Sequence, residues 1–322
     1  MHLPDGFLDG KTALLTAGAA GTGIALALRQ VKQTLAPRQT PMLGLAAAFI
    51  FAAQMINFPV LAGTSGHLVG GVLAGVLLGP AAAVIVMTCV LMVQCLMFND
   101  GGLLALGANV FNMGIVNVWG GYFVFRLFQR MPWMEPNRAT LFAASFAAWF
   151  GTVLASLTCA GEIACSGTAP WGVTFPAMAS IHILIGLGEG LLTGLVLTAV
   201  LRARPELVAG WGGQQRVGGS GFLSYGLLVS LGLAVFVAPL ACPWSDGLEA
   251  VAKTLGFEHR AAGPLFPSPL GNYHLPFIRS AATATALAGV AGILVAFIGA
   301  WLLASRLVPK LAARKDHANS QG

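Results

Sequence analysis

The chain begins Met1-His2, and a second imidazole, His67, follows in the string Thr64-Ser65-Gly66-His67 at the mouth of an apolar segment. A free α-amine, the amide nitrogen of residue 2 and the Nδ1 of His2 can close a five-membered and a six-membered chelate ring on one metal ion. The imidazole of His67 would complete four nitrogen donors in a plane, the arrangement favoured by Ni(II) and Cu(II). Taken singly, a histidine at a helix end is ordinarily a hydrogen-bonded structural residue, so the surrounding elements have to supply the context.

Other polar residues fall inside apolar runs and need partners there. Gln54 and Asn57 are three apart in one run, Gln94 lies in another, and Asn109 and Asn112 are three apart in a third. Residues three apart share a helix face, so each pair should point into a bundle and away from lipid. There they serve either as hydrogen-bonding glue between helices or as partners that orient the N-terminal segment and its imidazoles. His182 and Glu189, seven apart, also share a face. They suit packing or coupling better than direct metal ligation, although ionisable groups at membrane depth are functional candidates. His259 and His274 suit solvated outer positions, and His317 belongs to the tail.

Gly10-Lys11-Thr12, with Gly6 upstream, imitates the end of a phosphate-binding loop. Three residues rather than four separate its glycines, Asp5 stands where the first glycine should be, and no strand precedes it, so an ATP site is not expected. No HExxH or GxSxG motif and no paired His/Cys nucleophile occurs. The chain reads as a carrier or binder and not as an enzyme.

The elements that must position these residues are membrane helices. Hydrophobic residues make up 57% of the 322 and charged ones 9%, against about 25% charged in soluble domains. Apolar runs predict nine helices near 12–29, 42–60, 67–79, 81–98, 103–126, 139–161, 177–201, 221–240 and 280–304. The fold expected is an all-α integral membrane protein: a seven-helix bundle plus two further transmembrane helices. No basic segment precedes the first run, so a cleavable signal peptide is not expected. With the N-terminus outside and the C-terminus inside, thirteen of the 17 basic residues fall on the inner side. Only Lys11, Lys253, Arg260 and Arg279 fall outside. The net charge of +6 is therefore a topology signal and not a nucleic-acid footprint.

The Gly-rich, polar stretch 204–219 divides a seven-helix unit, 1–203, from a two-helix unit, 220–310, that holds a long outer loop; a basic tail, 311–322, should be cytoplasmic. The third helix, at about 13 residues, would span only ~20 Å and so hold His67 below the outer surface. Gly71, Gly75 and Gly79, and likewise Gly186, Gly190 and Gly194, form small-residue stripes that suit close packing or docking of a partner subunit. Cys89 and Cys95 read as buried thiols. Cys159, Cys165 and Cys242 fall near the outer face, and the sequence leaves their disulfide state open.

Four blocks, MHLPDGFLDG (1–10), AAQMINFPVLAGTSGHLVGGVLAGVLLGP (52–80), FNDGGLLALGANVFNMGIVN (98–117) and IHILIGLGEGLLTG (181–194), occur in this order. Together they resemble the substrate-binding membrane subunits of energy-coupling-factor nickel and cobalt transporters. The resemblance implies a seven-helix bundle over 1 to about 203 whose N-terminus tucks inward and binds metal through the Met1 amine, the amide and side chain of His2, and the side chain of His67. Residues 220–310 resemble the small two-helix auxiliary subunit fused to some nickel-binding subunits. Its Pro-Asp-Gly-Leu-Glu signature stands here as Ser245-Asp246-Gly247-Leu248-Glu249, with Ser245 in place of proline.

The implied cargo is Ni(II), with Co(II) for cobalamin supply as the alternative. The implied partners are a transmembrane coupling subunit and a pair of ATPase chains, in the lipid of a bacterial inner membrane. Other readings are a passive metal channel or a sensor needing no ATPase, and an intramembrane enzyme using His182 and Glu189, for which no nucleophile is evident.

Overall fold

The computed structural model describes residues 1–61, 63–131, 135–204, 220–275 and 277–307. All but the first residue of the expected linker 204–219, and the expected tail 311–322, lie outside the described residues. Six described helices are long and apolar enough to cross a membrane.

Helix α1 (Gly10–Thr34) starts where Asp9 accepts from the Thr12 amide at 2.9 Å. Gly10-Lys11-Thr12 is thus the first turn of a capped helix. Helix α2 (Thr40–Gln54) carries proline in its first turn. It ends at Gln54, earlier than the expected 60, because the chain becomes extended and Phe58–Pro59 (β1) pairs antiparallel with Ser65–Gly66 (β2). Asn57 consequently shares no helix face with Gln54. Its carbonyl instead accepts from the Cys242 amide at 2.9 Å.

The third helix corrects the sequence reading more sharply. Helix α3 (Gly71–Leu78) begins four residues after His67, and Gly70 ahead of it adopts φ +79°, a left-handed conformation that glycine takes without steric cost. Its eight residues rise ~12 Å. His67 therefore lies on the irregular strand-to-helix connection and not at a helix mouth. Gly79 turns the chain directly into α4 (Pro80–Val93), which continues as a π-helical turn over Gln94–Phe98.

Helix α5 is α-helical over Leu106–Asn109, π-helical over Val110–Gly120 and α-helical again over Gly121–Phe128. Helix α6 (Pro136–Cys165) is capped by Glu135 and packs along α7 (Trp171–Ala203). The second unit consists of α8 (Ser220–Gly232, extended by short turns to Leu240), a short α9 (Gly247–Leu255) in the outer loop, and α10 (Ala281–Leu307).

The glycine stripes are used inside the molecule. A Cβ on Gly186 or Gly190 would lie 2.9 Å from the Trp149 ring or 2.7 Å from the Ser145 carbonyl, and one on Gly194 would meet Ser145 Oγ at 2.5 Å. Gly71 and Gly75 likewise face α5, and Gly79 is the α3–α4 turn itself. Gly71, Gly186, Gly190 and Gly194 are thus taken up by packing within the chain, whereas a Cβ on Gly79 would meet nothing within 4 Å. On α7, Leu187, Leu191 and Leu195, each one residue beyond a glycine, are exposed where lipid would lie. Helix α2 is shared by the two units: Gly44 abuts Phe297, Gly292 abuts Phe51, and Gly226 abuts Leu45. All five cysteines are free thiols.

Candidate metal-binding centre

The pocket is built by threading residues 1–9 back into the bundle. Leu3 is held on both sides of its peptide: its amide donates to Asn109 Oδ1 at 2.7 Å, and its carbonyl accepts from Asn109 Nδ2 at 3.0 Å and from the Gly102 amide at 2.8 Å. The Asp5 carboxylate accepts from the amides of Leu103, Leu104 and Ala105 at 2.8–3.1 Å. It thereby satisfies free donors at the start of α5, where a negative charge is favoured. Gly102 must be glycine at this crossing, since a Cβ there would sit 2.1 Å from Asp5 Oδ1. Farther along, Thr168 donates to the Phe7 carbonyl at 2.6 Å.

The segment carrying His67 is fixed just as tightly. Glu189, from the middle of α7, accepts from the amides of Val69 at 2.5 Å and Gly70 at 2.9 Å. Gln54 Nε2 donates to the Val69 carbonyl at 2.7 Å, and Gln54 Oε1 accepts from Gln94 Nε2 at 2.7 Å.

These two segments meet at the amine. Met1 N lies 3.3 Å from His67 Nε2, and the rings of His2 and His67 stack with centroids 5.4 Å apart and planes 25° apart. Met1 and His67 are buried, at 5% and 7% exposure. His67 Nδ1 is 3.0 Å from the Leu68 carbonyl. A carbonyl only accepts, so Nδ1 carries the hydrogen and the Nε2 lone pair faces the amine. Burial lowers the His67 pKa, and the N-terminal ammonium and His2 push the same way, which favours the neutral ring.

His2 is oriented differently from the chelate expected. Its Nε2 lies 3.2 Å from Gln94 Oε1 and its Nδ1 3.2 Å from Asp100 Oδ1. Asp100 in turn accepts from the Tyr273 hydroxyl at 2.7 Å. Nδ1 thus lies against a carboxylate, and binding a metal there would require that contact to give way. Burial depresses the His2 pKa although Asp100 opposes it. Among the described residues no group of three or more His, Cys, Asp or Glu side chains is arranged to hold a metal. A cation at this point would therefore draw on main-chain nitrogen.

Asp246 belongs to the Ser245–Glu249 string noted in the sequence, but that string gives no sign of a partner at the N-terminus. Asp246 Oδ2 accepts from Met1 N at 2.6 Å while its Oδ1 accepts from the Glu249 amide at 2.9 Å. Burial works against the Asp246 charge, but the N-terminal ammonium and the Glu249 amide hold its pKa well below the carboxylate range. Asn112 does not face the amine; it donates to Glu162 Oε2 at 2.7 Å between α5 and α6. His182 donates from Nδ1 to the Met178 carbonyl at 2.8 Å and packs against Gly247, where an added Cβ would stand 2.9 Å from its Nε2.

Apolar helices crossing a membrane, with a buried pocket of amine and imidazole nitrogens, define a multi-pass membrane protein with a nitrogen-lined polar centre. The chain belongs to the family described as the cobalt uptake substrate-specific transmembrane region, whose model matches residues 2–207, and it carries a PDGLE domain over residues 220–308. It is 38% identical, over 92% of its own length and 95% of the other's, to an Archaeoglobus fulgidus protein that bears the name of a fused nickel transport protein, NikMN. The fused nickel transport protein NikMN of Rhodobacter capsulatus is 29% identical over 93% of this chain and 96% of that one. The cobalt transport protein CbiM 2 of Pelobacter propionicus is 32% identical over 64% of this chain and 93% of that one. A crystal structure of a truncated transition metal transporter superposes with TM-score 0.58 at 29% identity, covering 63% of this chain and 99% of that one.

Proposed function

We propose that this chain captures a divalent transition-metal ion, Ni(II), from the outer side of the inner membrane, as the metal-binding subunit of an energy-coupling-factor uptake transporter. The observation that carries this reading is the pairing of the Met1 amine with His67 Nε2 at 3.3 Å in a buried pocket. The donors are the Met1 amine, the amide and, on release from Asp100, the Nδ1 of His2, and His67 Nε2. Four nitrogens in a plane suit Ni(II). Nickel is preferred to cobalt because the relatives matched over 92–93% of this chain bear nickel in their names, whereas the cobalt-named relatives match 64% of it. Energy comes from separate ATPase chains acting through a transmembrane coupling subunit.

The test is a titration of the purified protein with Ni(II) and Co(II), recorded by visible absorption and magnetic susceptibility. One equivalent of yellow, diamagnetic Ni(II) is expected. A paramagnetic six-coordinate centre, or unchanged binding in His67→Ala, overturns the ligand set. Accumulation of metal in cells should disappear when the ATPases are deleted. Uphill uptake sustained by this chain alone would instead support a self-sufficient carrier.

A further inference from the structure

The outer loop of the second unit is stitched to the first unit beside Met1 and His67. The Cys242 amide donates to the Asn57 carbonyl at 2.9 Å, the Ser65 amide donates to the Ser245 carbonyl at 2.8 Å, and Ser65 Oγ donates to the Trp244 carbonyl at 2.7 Å. The Leu270 amide reaches the Met97 carbonyl at 2.9 Å. Through this seam Asp246 is delivered to the N-terminal amine, 245 residues away in sequence. We infer that Asp246, carried by the PDGLE domain, is a positioning and counter-charge residue of the cation site formed by the other unit. The site is then complete only when both units are present. This inference rests on the metal-binding reading of Met1 and His67.

The physical case has three parts. The two oxygens of Asp246 have separate tasks: Oδ1 caps α9 and Oδ2 binds the amine, so the amine is aimed from a rigid helix start. Next, the Met1 amine lies between Asp246 and His67, at 2.6 Å and 3.3 Å, so a cation held by the amine and His67 is a close neighbour of the carboxylate. Finally, the surroundings are poor in other compensation. The side chain of Met1 is 3% exposed and that of Asp246 22% exposed, and the N-terminal end of α9 itself carries positive partial charge. A buried cation without a nearby opposite charge is costly. Asp246 supplies that charge on one side and Asp100, beside His2, on the other.

Asp246→Asn separates charge from structure. Asparagine caps a helix about as well as aspartate, so α9 and the seam should form, yet the negative charge is gone. The full-length protein in detergent is titrated with Ni(II) against a competing chelator. Its helical content is followed by circular dichroism, and His67→Ala and Asp246→Glu are measured alongside. Asp246→Asn is expected to bind Ni(II) at least ~10-fold more weakly, with unchanged helical content and an unchanged spectrum at saturation, because Asp246 is not one of the four donors. Asp246→Glu should recover most of the affinity. Parental affinity in Asp246→Asn, with binding lost in His67→Ala, overturns this inference and leaves the metal-binding reading standing. Parental affinity in His67→Ala overturns that reading, and the role of Asp246 falls with it. An altered saturation spectrum in Asp246→Asn overturns the counter-charge role, since it would make the carboxylate a donor.

Discussion

Leu3 has no chemistry of its own, yet its peptide is gripped by Asn109 on both sides, and this places the amine two residues away. The grip leaves little slack at Met1, which is 5% exposed. Adding one alanine before Met1 would convert the amine to an amide and put extra atoms into a packed interior. Ni(II) binding by such a protein should be lost in the titration, whereas a tag after Gly322 should leave it intact. Glu189 acts in the same way on the other segment, since its two oxygens hold the amides of Val69 and Gly70. Glu189→Gln offers one carbonyl where two acceptors are needed, leaving a buried amide unpaired at a cost of ~1–3 kcal/mol. Thermal unfolding in detergent should show the loss, and Ni(II) affinity should fall with it because His67 sits two residues before Val69. Parental stability would show that the two amides find other acceptors.

At the scale of elements, the short helices matter most. Helix α3, with eight residues, cannot span a bilayer. The connection that precedes it therefore carries His67 into the bundle, where irregular backbone survives only because Glu189 and Gln54 satisfy it. The π-helical turns serve comparable ends: one starts at Gln94, which touches His2, and another runs through Asn112 and Asn117 in the core. The α6–α7 pair is the rigid wall behind Glu189. At Gly190 a Cβ would be 2.7 Å from the Ser145 carbonyl, a backbone atom that cannot step aside cheaply. Gly190→Val should therefore lower stability by ~1–3 kcal/mol, visible as earlier thermal aggregation. Substituting the exposed Leu191 by valine should have little effect.

For the whole molecule, the basic residues and the helix order together predict an outer N-terminus and an inner C-terminus. Cys165, exposed at the end of α6, should then react with a membrane-impermeant maleimide in intact cells, while Cys159, buried one turn and a half earlier, should not. Labelling of Cys165 only after the membrane is opened would reverse the orientation. The same predicted topology would put the seam between the two units, and with it Asp246, on the outer side.

The sequence by itself determined the class of molecule, the order of the apolar helices and the two imidazoles at the centre. Those follow from local quantities: run length, composition and a handful of unusual strings. Helix lengths differ from those the apolar runs predict where local apolarity and backbone conformation part company. Residues 55–60 and 67–70 are apolar enough to be helical, but β1–β2 pairing and the Glu189 carboxylate hold them extended or irregular. Only the tertiary structure decided what each polar group touches. Gln94 and Asn109 serve the N-terminal segment, Asn112 serves Glu162, and Asn57 left the bundle face altogether. Nothing in Ser245-Asp246-Gly247 signals a partner at residue 1. Their meeting depends on α2 packing between α8 and α10 and on the outer loop folding back beside Met1 and His67, and contacts between residues so far apart in the chain leave no periodicity for a sequence to display.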